Sequence, residues 1–334
     1  MAHGSARRRT IQLAAGLALG LAAAWPALAQ PQSPANYPDR PVKMLVPFAA
    51  GGATDTLGRL LATKLGERLG QPVVIENKPG AGTVVAAGMV AKAPADGYTL
   101  LMTSNTTLTL NPAIRANLSY DPIKSFDPIG RVANMSLVLV AGNATPGTTL
   151  KQVLAQAAAK PDTFAYGSYG TGSTSHFGGE MLAAAAGTRM LHVPYNGSAP
   201  SLTALMGGQT AVAVDTIVAS GPLIKGGKVR PIALLSAKRS PAFPHIPTVA
   251  ESGFPGFEMD SWFALLAPAG LPPAVRQKLE KALADVVADP DMRQKLQDLA
   301  LTPMYAPGAA VTAQVEKELP LMRAVAQRAD IKAE

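Results

Sequence analysis

Lys43 to Lys64, KMLVPFAAGGATDTLGRLLATK, is the stretch around which the chain is organised. Met44, Leu45 and Val46 form a short apolar run that Pro47 and the pair Gly51-Gly52 interrupt. Leu57, Leu60, Leu61 and Leu65 then recur at helical spacing. The pattern predicts strand, glycine loop and helix. Thr54 or Asp55 can cap the helix by accepting a backbone N–H, and the two glycines let the loop's own N–H groups come close to a bound group. Unpaired donors and the positive end of the helix dipole then point the same way, which suits an anion. Taken alone, the stretch is more plainly an ordinary strand-to-helix turn.

The same grammar recurs downstream. Val73-Val74-Ile75 leads through ENKPGAGT (76–83) into a small-residue helix at 84–92. After the turn at Asp96-Gly97, Tyr98 to Met102 is a third strand, ending in the polar cluster Thr103 to Thr107. Strands alternating with helices imply a parallel sheet, whose ligands gather beyond the carboxyl ends of the strands. Phe126 to Gly130 is expected as a proline turn before an apolar strand at Ser136 to Val140. A helix at Leu150 to Lys160, a strand at Phe164 to Gly167 and the loop Ser168 to Ser175 then open a helix at His176 to Ala186. Leu191 to Val193 leads to Pro194-Tyr195-Asn196-Gly197 and a helix near Ser201, and Ala211 to Val214 ends in Asp215. Pro241 to Pro255 is proline-rich, as a return between domains would be. Trp262 to Leu266 is a strand, and the last third is helical, with Val275, Leu279, Leu283 and Val286 on one face.

A chain of 334 residues is expected to form one large or two medium domains, and a hydrophobic share of 48% supports packed cores. Arg7-Arg8-Arg9, the apolar run Ile11 to Trp25 and Ala27-Leu28-Ala29 together predict a secretory signal peptide over 1–29, with the mature chain beginning at Gln30. Its apolar core is short for a membrane span. The three arginines form a basic leader, a plainer reading than a twin-arginine signal. Removing them lowers the formal charge from +8 to +5, scattered and without the interleaved aromatics of a nucleic-acid surface. With no cysteine, disulfides, thiolate metal sites and a cysteine nucleophile are excluded.

Enzyme signatures fail where they can be checked. No serine lies in G-x-S-x-G, since Tyr166 precedes Ser168 and Thr171 precedes Ser173 by two positions. Gly227-Lys228 has Pro222 where a P-loop needs glycine. The G-x-G pairs at Gly80 and Gly170 are followed by Val85 and Ser175 at the third-glycine position. His176 and Glu180 stand i, i+4 on a predicted helix and could share a metal, but HExxH is absent, and no metal or cofactor is expected. Asp55 is expected as a cap, and Asp215 as a cap or as the acceptor of a ligand amine. The positive signal is one site type repeated. Gly51-Gly52, Gly80 to Thr83, Ser104-Asn105 through Thr107, Gly170 to Thr174 and Asn196 to Ser198 each follow a strand and adjoin a helix. Apart from Lys78 these loops carry no basic side chain, so an anion there would rest on backbone N–H groups, hydroxyls and water.

Six segments in order, VPFAAGGATD (46–55), NKPGAG (77–82), ADGYTLL (95–101), YGSYGTGSTSH (166–176), HVPYNGSAP (192–200) and IPTVAESG (246–253), resemble the extracytoplasmic solute-binding proteins of tripartite tricarboxylate transporters, the TctC or Bug family. The resemblance implies an α/β, type II periplasmic-binding-protein fold with two α/β lobes and a ligand cleft between them. The lobes expected are 37–136 with 262–334, and 137–261. It also implies that two glycine loops form a pincer on one ligand carboxylate, here Phe48, Ala49, Gly51, Gly52, Asp55, Gly80, Ala81, Gly82 and Thr83. The distal side becomes Ser168, Gly170, Thr171, Gly172, Ser173, Thr174, Tyr195, Asn196 and Asp215. Thr83 stands where the family usually has glycine, and Asn196 where it often has lysine. The function implied is periplasmic capture of a small organic acid, whether a di- or tricarboxylate, an amino acid or an aromatic carboxylate, for integral membrane transporter subunits. A monomer without nucleic-acid partners is expected. The competing readings are a sensory subunit read by a membrane kinase, and a hydrolase of the same fold using Ser173, His176 and Asp215.

Overall fold

The computed structural model describes residues 36–333, so the expected signal peptide lies outside the described residues. The opening stretch folds as its periodicity predicts. Strand β1 (Val42–Val46) runs into the glycine loop, and helix α1 (Ala53–Leu69) follows with Leu57, Leu61 and Leu65 fully buried. Each of these leucines contributes about 1.5–3 kcal/mol by leaving water. The N-cap is Gly52 and no side chain caps the helix. Thr54 and Asp55 lie inside the first turn, one and two residues past its start, and neither is the cap. Strands β2 (Val73–Asn77) and β3 (Thr99–Ser104) flank β1 in parallel, joined by α2 (Val84–Ala91). The threonine cluster after β3 winds as a π-type turn, Thr106–Leu110, into the short α3 (Asn111–Ile114).

Strand β4 (Phe126–Gly142) is one strand of 17 residues, where the sequence suggests a proline turn and then a shorter strand. Pro128 is accommodated because the register against its neighbour shifts between Pro128 and Gly130. Next come α4 (Leu150–Ala159), β5 (Ala165–Ser168), α5 (Thr174–Ala185), β6 (Leu191–Pro194), α6 (Ser198–Met206), β7 (Val212–Thr216), α7 (Ile217–Lys225) and β8 (Val229–Leu234). The chain returns through β9 (Asp260–Pro268), α8 (Pro273–Ala288), α9 (Pro290–Asp298), β10 (Leu301–Pro307) and α10 (Gly308–Arg328). Strands β8 and β10 carry one and two prolines, which hide them from a strand reading of the sequence. Among the named strands each pairs only with β4, β8 adding a single bridge from Leu234 to Thr248, and an edge position spares proline a ladder donor.

The two lobes follow from β4. Through Ser136 it pairs antiparallel with β9 and β10, and from Leu137 onward with β7 and β8. The first half-sheet runs β2-β1-β3-β9-β4, and the second continues β4-β7-β5-β6. Parallel strands β1, β2 and β3 in one and β5, β6 and β7 in the other release their loops toward a common cleft. The molecule is therefore α/β, with two lobes that share a strand.

Candidate ligand-binding site

On the first lobe the loop after β1 is braced by a buried carboxylate. Asp55 Oδ2 accepts the Gly51 N–H at 2.9 Å and the Arg59 Nε–H at 3.1 Å, while Oδ1 accepts from Asn77 Nδ2 at 3.0 Å. Burial pushes the Asp55 carboxyl up, but the bonds from Arg59, Gly51 and Asn77 outweigh it and hold the group below its usual range. Both oxygens are thus committed within the lobe. Asn77 also donates to the Phe48 carbonyl at 3.0 Å, so one side chain ties the loop to the following strand. The second glycine loop is a turn in which Ala81, Gly82 and Thr83 all have positive φ. The side chain of Thr83 points inward, accepting from the Thr107 hydroxyl at 2.8 Å and from Asn111. Asn111 donates also to the Gly82 carbonyl.

On the second lobe side chains dominate. Ser173 caps α5 by accepting the His176 N–H at 3.2 Å, and His176 Nδ1 accepts the Gly172 N–H at 3.1 Å. The rings of His176 and His192 stack at 3.9 Å, and His192 Nε2 lies 2.7 Å from Ser168 Oγ. Burial lowers His176 to about 4, helped by Arg115, and lowers His192 to about 3, helped by His176, so both are neutral at pH 7. Asp215, at the end of β7, is wholly buried. Its Oδ1 accepts the Thr216 N–H at 2.6 Å, and its Oδ2 finds no hydrogen-bond partner among the described residues. Burial pushes its carboxyl up to about 7 against the lowering effect of Ser198 and Thr216.

The two faces touch. The Ala49 N–H donates to the Asn196 carbonyl at 3.1 Å, and Phe48 meets Tyr169 edge to face at 5.6 Å. A Cβ added at Gly82 would overlap the Thr171 carbonyl, so only glycine permits this approach. Asn105 and Thr106 bond to Thr174 across the cleft, at 3.0 and 3.3 Å. Between the faces remains a cavity of about 10 Å³, lined by Phe48, Gly52, Ala53, Thr54, Met135, Tyr169, Ser198 and Thr216. It offers space for about one water.

The structure therefore brings the Phe48–Gly52 loop against Tyr195–Ser198, and the Gly80–Thr83 loop against Gly170–Gly172. It gives several named side chains other tasks. Asp55, Thr83, Ser173 and Thr174 are engaged as described, and Ser104 Oγ accepts the Thr106 N–H. The Asn196 side chain is exposed while its carbonyl faces Ala49. Ser173, His176 and Asp215 do not form a relay, since each bonds within its own loop or helix start. Tyr169, Ser198 and Thr216 line the cavity, and Asn111 holds the second loop. Asn111 lies in no motif, and Tyr169, though inside YGSYGTGSTSH, is not singled out by it; the position of both depends on the docked lobes.

This arrangement of two lobes and glycine loops has known relatives. The model of the tripartite tricarboxylate transporter family receptor matches residues 57–328. The chain belongs to that family. The receptor is 34% identical over 289 residues to BugT of Bordetella pertussis, covering 86% of this chain and 89% of BugT. A solved R. palustris protein with adipate superposes at a TM-score of 0.86 with 35% identity, covering 89% of this chain and 99% of the other. MatC from Rhodopseudomonas palustris, solved with bound malate, superposes at 0.82 with 33% identity, over 86% of this chain and 99% of MatC. The resemblance read from the six motifs holds, as does the two-lobed binding-protein fold it implied, and the chain is a solute-binding receptor of this family.

Proposed function

We propose that the receptor is exported to the periplasm, closes its lobes on a small organic carboxylate without turning it over, and delivers it to integral membrane transporter subunits. The lobes taking part are 37–136 with 262–334, and 137–261. The observation that carries this reading is the uncapped start of α1. Gly52, Ala53 and Thr54 line the cavity there, with no basic side chain in its walls and with the Ser198 and Thr216 hydroxyls opposite. First-turn N–H groups and the helix dipole are suited to one carboxylate. Two relatives solved with adipate and malate support a dicarboxylate. Among the described residues, no helix is long and apolar enough to cross a membrane.

In the docked arrangement the cleft is far too small for such a ligand, so entry requires the lobes to part. The crossings at Ser136-Leu137 in β4 and between β8 and β9 are the places where a hinge acts. Asp215 favours a second ligand class, an amino acid whose ammonium meets the unpartnered Oδ2. A panel of dicarboxylates, their diesters and amino acids tests both classes by thermal shift on the exported protein. A true ligand at a hundredfold excess over Kd stabilises the fold by about 2.7 kcal/mol. The expected result is a shift with free acids and none with diesters. Equal shifts with diesters would overturn the carboxylate reading.

A further inference from the structure

Beyond the cleft, a large cavity with several polar side chains in its walls lies where the two crossings meet. It measures about 690 Å³, in the size range of small-molecule sites. Its walls come from both lobes. Asn134 and Ser136 belong to β4, Thr302 to β10, Lys238 to the segment after β8, and Glu258 and Asp260 to the start of β9 and the residues before it. Met135 is common to the walls of this cavity and of the cleft, so the two are one side chain apart.

Asp260 gives the cavity its chemistry. Its Oδ1 is buried and finds no hydrogen-bond partner among the described residues, although its backbone carbonyl accepts from Asn105 at 3.3 Å. A buried carboxyl oxygen without a donor is costly, and a cation supplied from outside would relieve it. Burial pushes this carboxyl up to about 7, and the exposed Glu258 beside it pushes the same way, so a cation brought beside it would favour its charged form. A metal ion is poorly served, because among the described residues no three His, Cys, Asp or Glu side chains converge. An ammonium group suits the walls better, since its donors can be shared between the Asp260 carboxyl and the Ser136 hydroxyl, while the Asn134 amide oxygen is already engaged by Arg131. At the rim, Arg239 is already held by Glu251 at 2.8 Å and by the Pro244 carbonyl at 2.9 Å. The exposed Lys238 remains to meet an anion.

We propose that this cavity is a second binding site, for a small zwitterion whose ammonium is taken by Asp260 and whose carboxylate reaches Lys238. The test is calorimetric titration of the exported protein with glycine, ethylammonium, acetate and N-acetylglycine. Glycine and ethylammonium should bind, while acetate and N-acetylglycine should give no signal at this site. Asp260→Asn should weaken both amines by about tenfold or more, as for loss of one partner in a desolvated charge pair. Lys238→Ala, at an exposed position, should weaken glycine and leave ethylammonium unchanged, which keeps the test decisive if Asp260→Asn does not fold. Asp215→Asn should leave amine binding at this site intact. Loss of amine binding in Asp215→Asn with retention in Asp260→Asn would place the amine in the main cleft and overturn the proposal. Absence of binding by either amine would overturn it equally.

Discussion

Across the cleft, the two glycine loops of the first lobe present mainly main chain, where the second lobe presents chiefly side chains. The loop at Phe48–Gly52 carries no polar side chain, and the polar groups beside it and in Gly80–Thr83 are turned inward. Asp55 is consumed by Gly51, Arg59 and Asn77, and Thr83 by Thr107 and Asn111. Opposite them stand Ser198, Thr216 and the buried carboxyl of Asp215, backed by the stacked pair His176 and His192. A face of backbone donors recognises what all organic acids share, because its geometry does not change with the side chains around it. A face of side chains can differ from one relative to the next. We propose on this basis that the first lobe supplies the carboxylate site and the second sets selectivity.

The largest effect is expected where the two kinds of face touch. Gly82→Val places a branched side chain at a φ of 62° and into the Thr171 carbonyl. Left-handed strain alone costs about 1–2 kcal/mol. Ligand affinity should therefore fall by well over about tenfold in a titration, and small-angle scattering should show none of the compaction on saturation that lobe closure predicts for the unchanged protein. Retained compaction would show that the backbone contact is not part of closure.

Next in size is Asp215→Asn, which probes the side-chain face. The folded carboxyl titrates near 7, raised above its unfolded value. Its contribution to stability is therefore fully present below the unfolded value of about 4 and is lost as pH rises through about 7. The histidines work in the opposite sense. Their lowered values give stability that is present above about 6.5 and is lost as pH falls through about 4 for His176 and about 3 for His192. Urea unfolding of Asp215→Asn and the unchanged protein across this range isolates the aspartate. The variant should gain relative stability as pH rises from about 4 to about 7, and parallel curves would mean that Asp215 is already charged in the fold.

Asn77→Ala tests the brace behind the main-chain face. It removes bonds to the Phe48 carbonyl and to Asp55, and should lower unfolding free energy by about 1–3 kcal/mol in urea melts, with a smaller loss of affinity. Unchanged stability would show that Asp55 and Arg59 hold the loop without it. The smallest effect belongs to Lys78→Ala. Lys78 pairs with Glu76 at 2.7 Å on the surface, so affinity should change by less than about twofold. If this change abolished binding while Gly82→Val preserved it, the comparison of the two faces would be reversed.

The unit β1, glycine loop and α1 was legible because its signals are local. A run of Met44, Leu45 and Val46, two glycines, and leucines at helical spacing each act within a few residues. The repeated grammar likewise predicted the parallel strands, and the ordered motifs led to the family. Tertiary structure overruled the sequence where a residue's partner lies far along the chain. Pro128 reads as a turn, yet β9 pairs through it with a shifted register. The prolines of β10 mask a strand that exists because β4 offers an edge. Asp55 reads as a cap, but Asn77 and Arg59 converge on it and turn it into a brace.

What the amino-acid order determined by itself is the alternation of strand, glycine loop and helix, while the pair of lobes came from the resemblance that the ordered motifs carry. The alternation depends on hydrophobic period and on backbone freedom at glycine, which are properties of short segments. Only the folded chain decided which loops meet, that Gly82 lies under the Thr171 carbonyl, that His176 stacks on His192, and that Asp215 and Asp260 each keep a buried oxygen without a hydrogen-bond partner among the described residues. Desolvation and close packing are set by neighbours distant in sequence, and no local pattern encodes them.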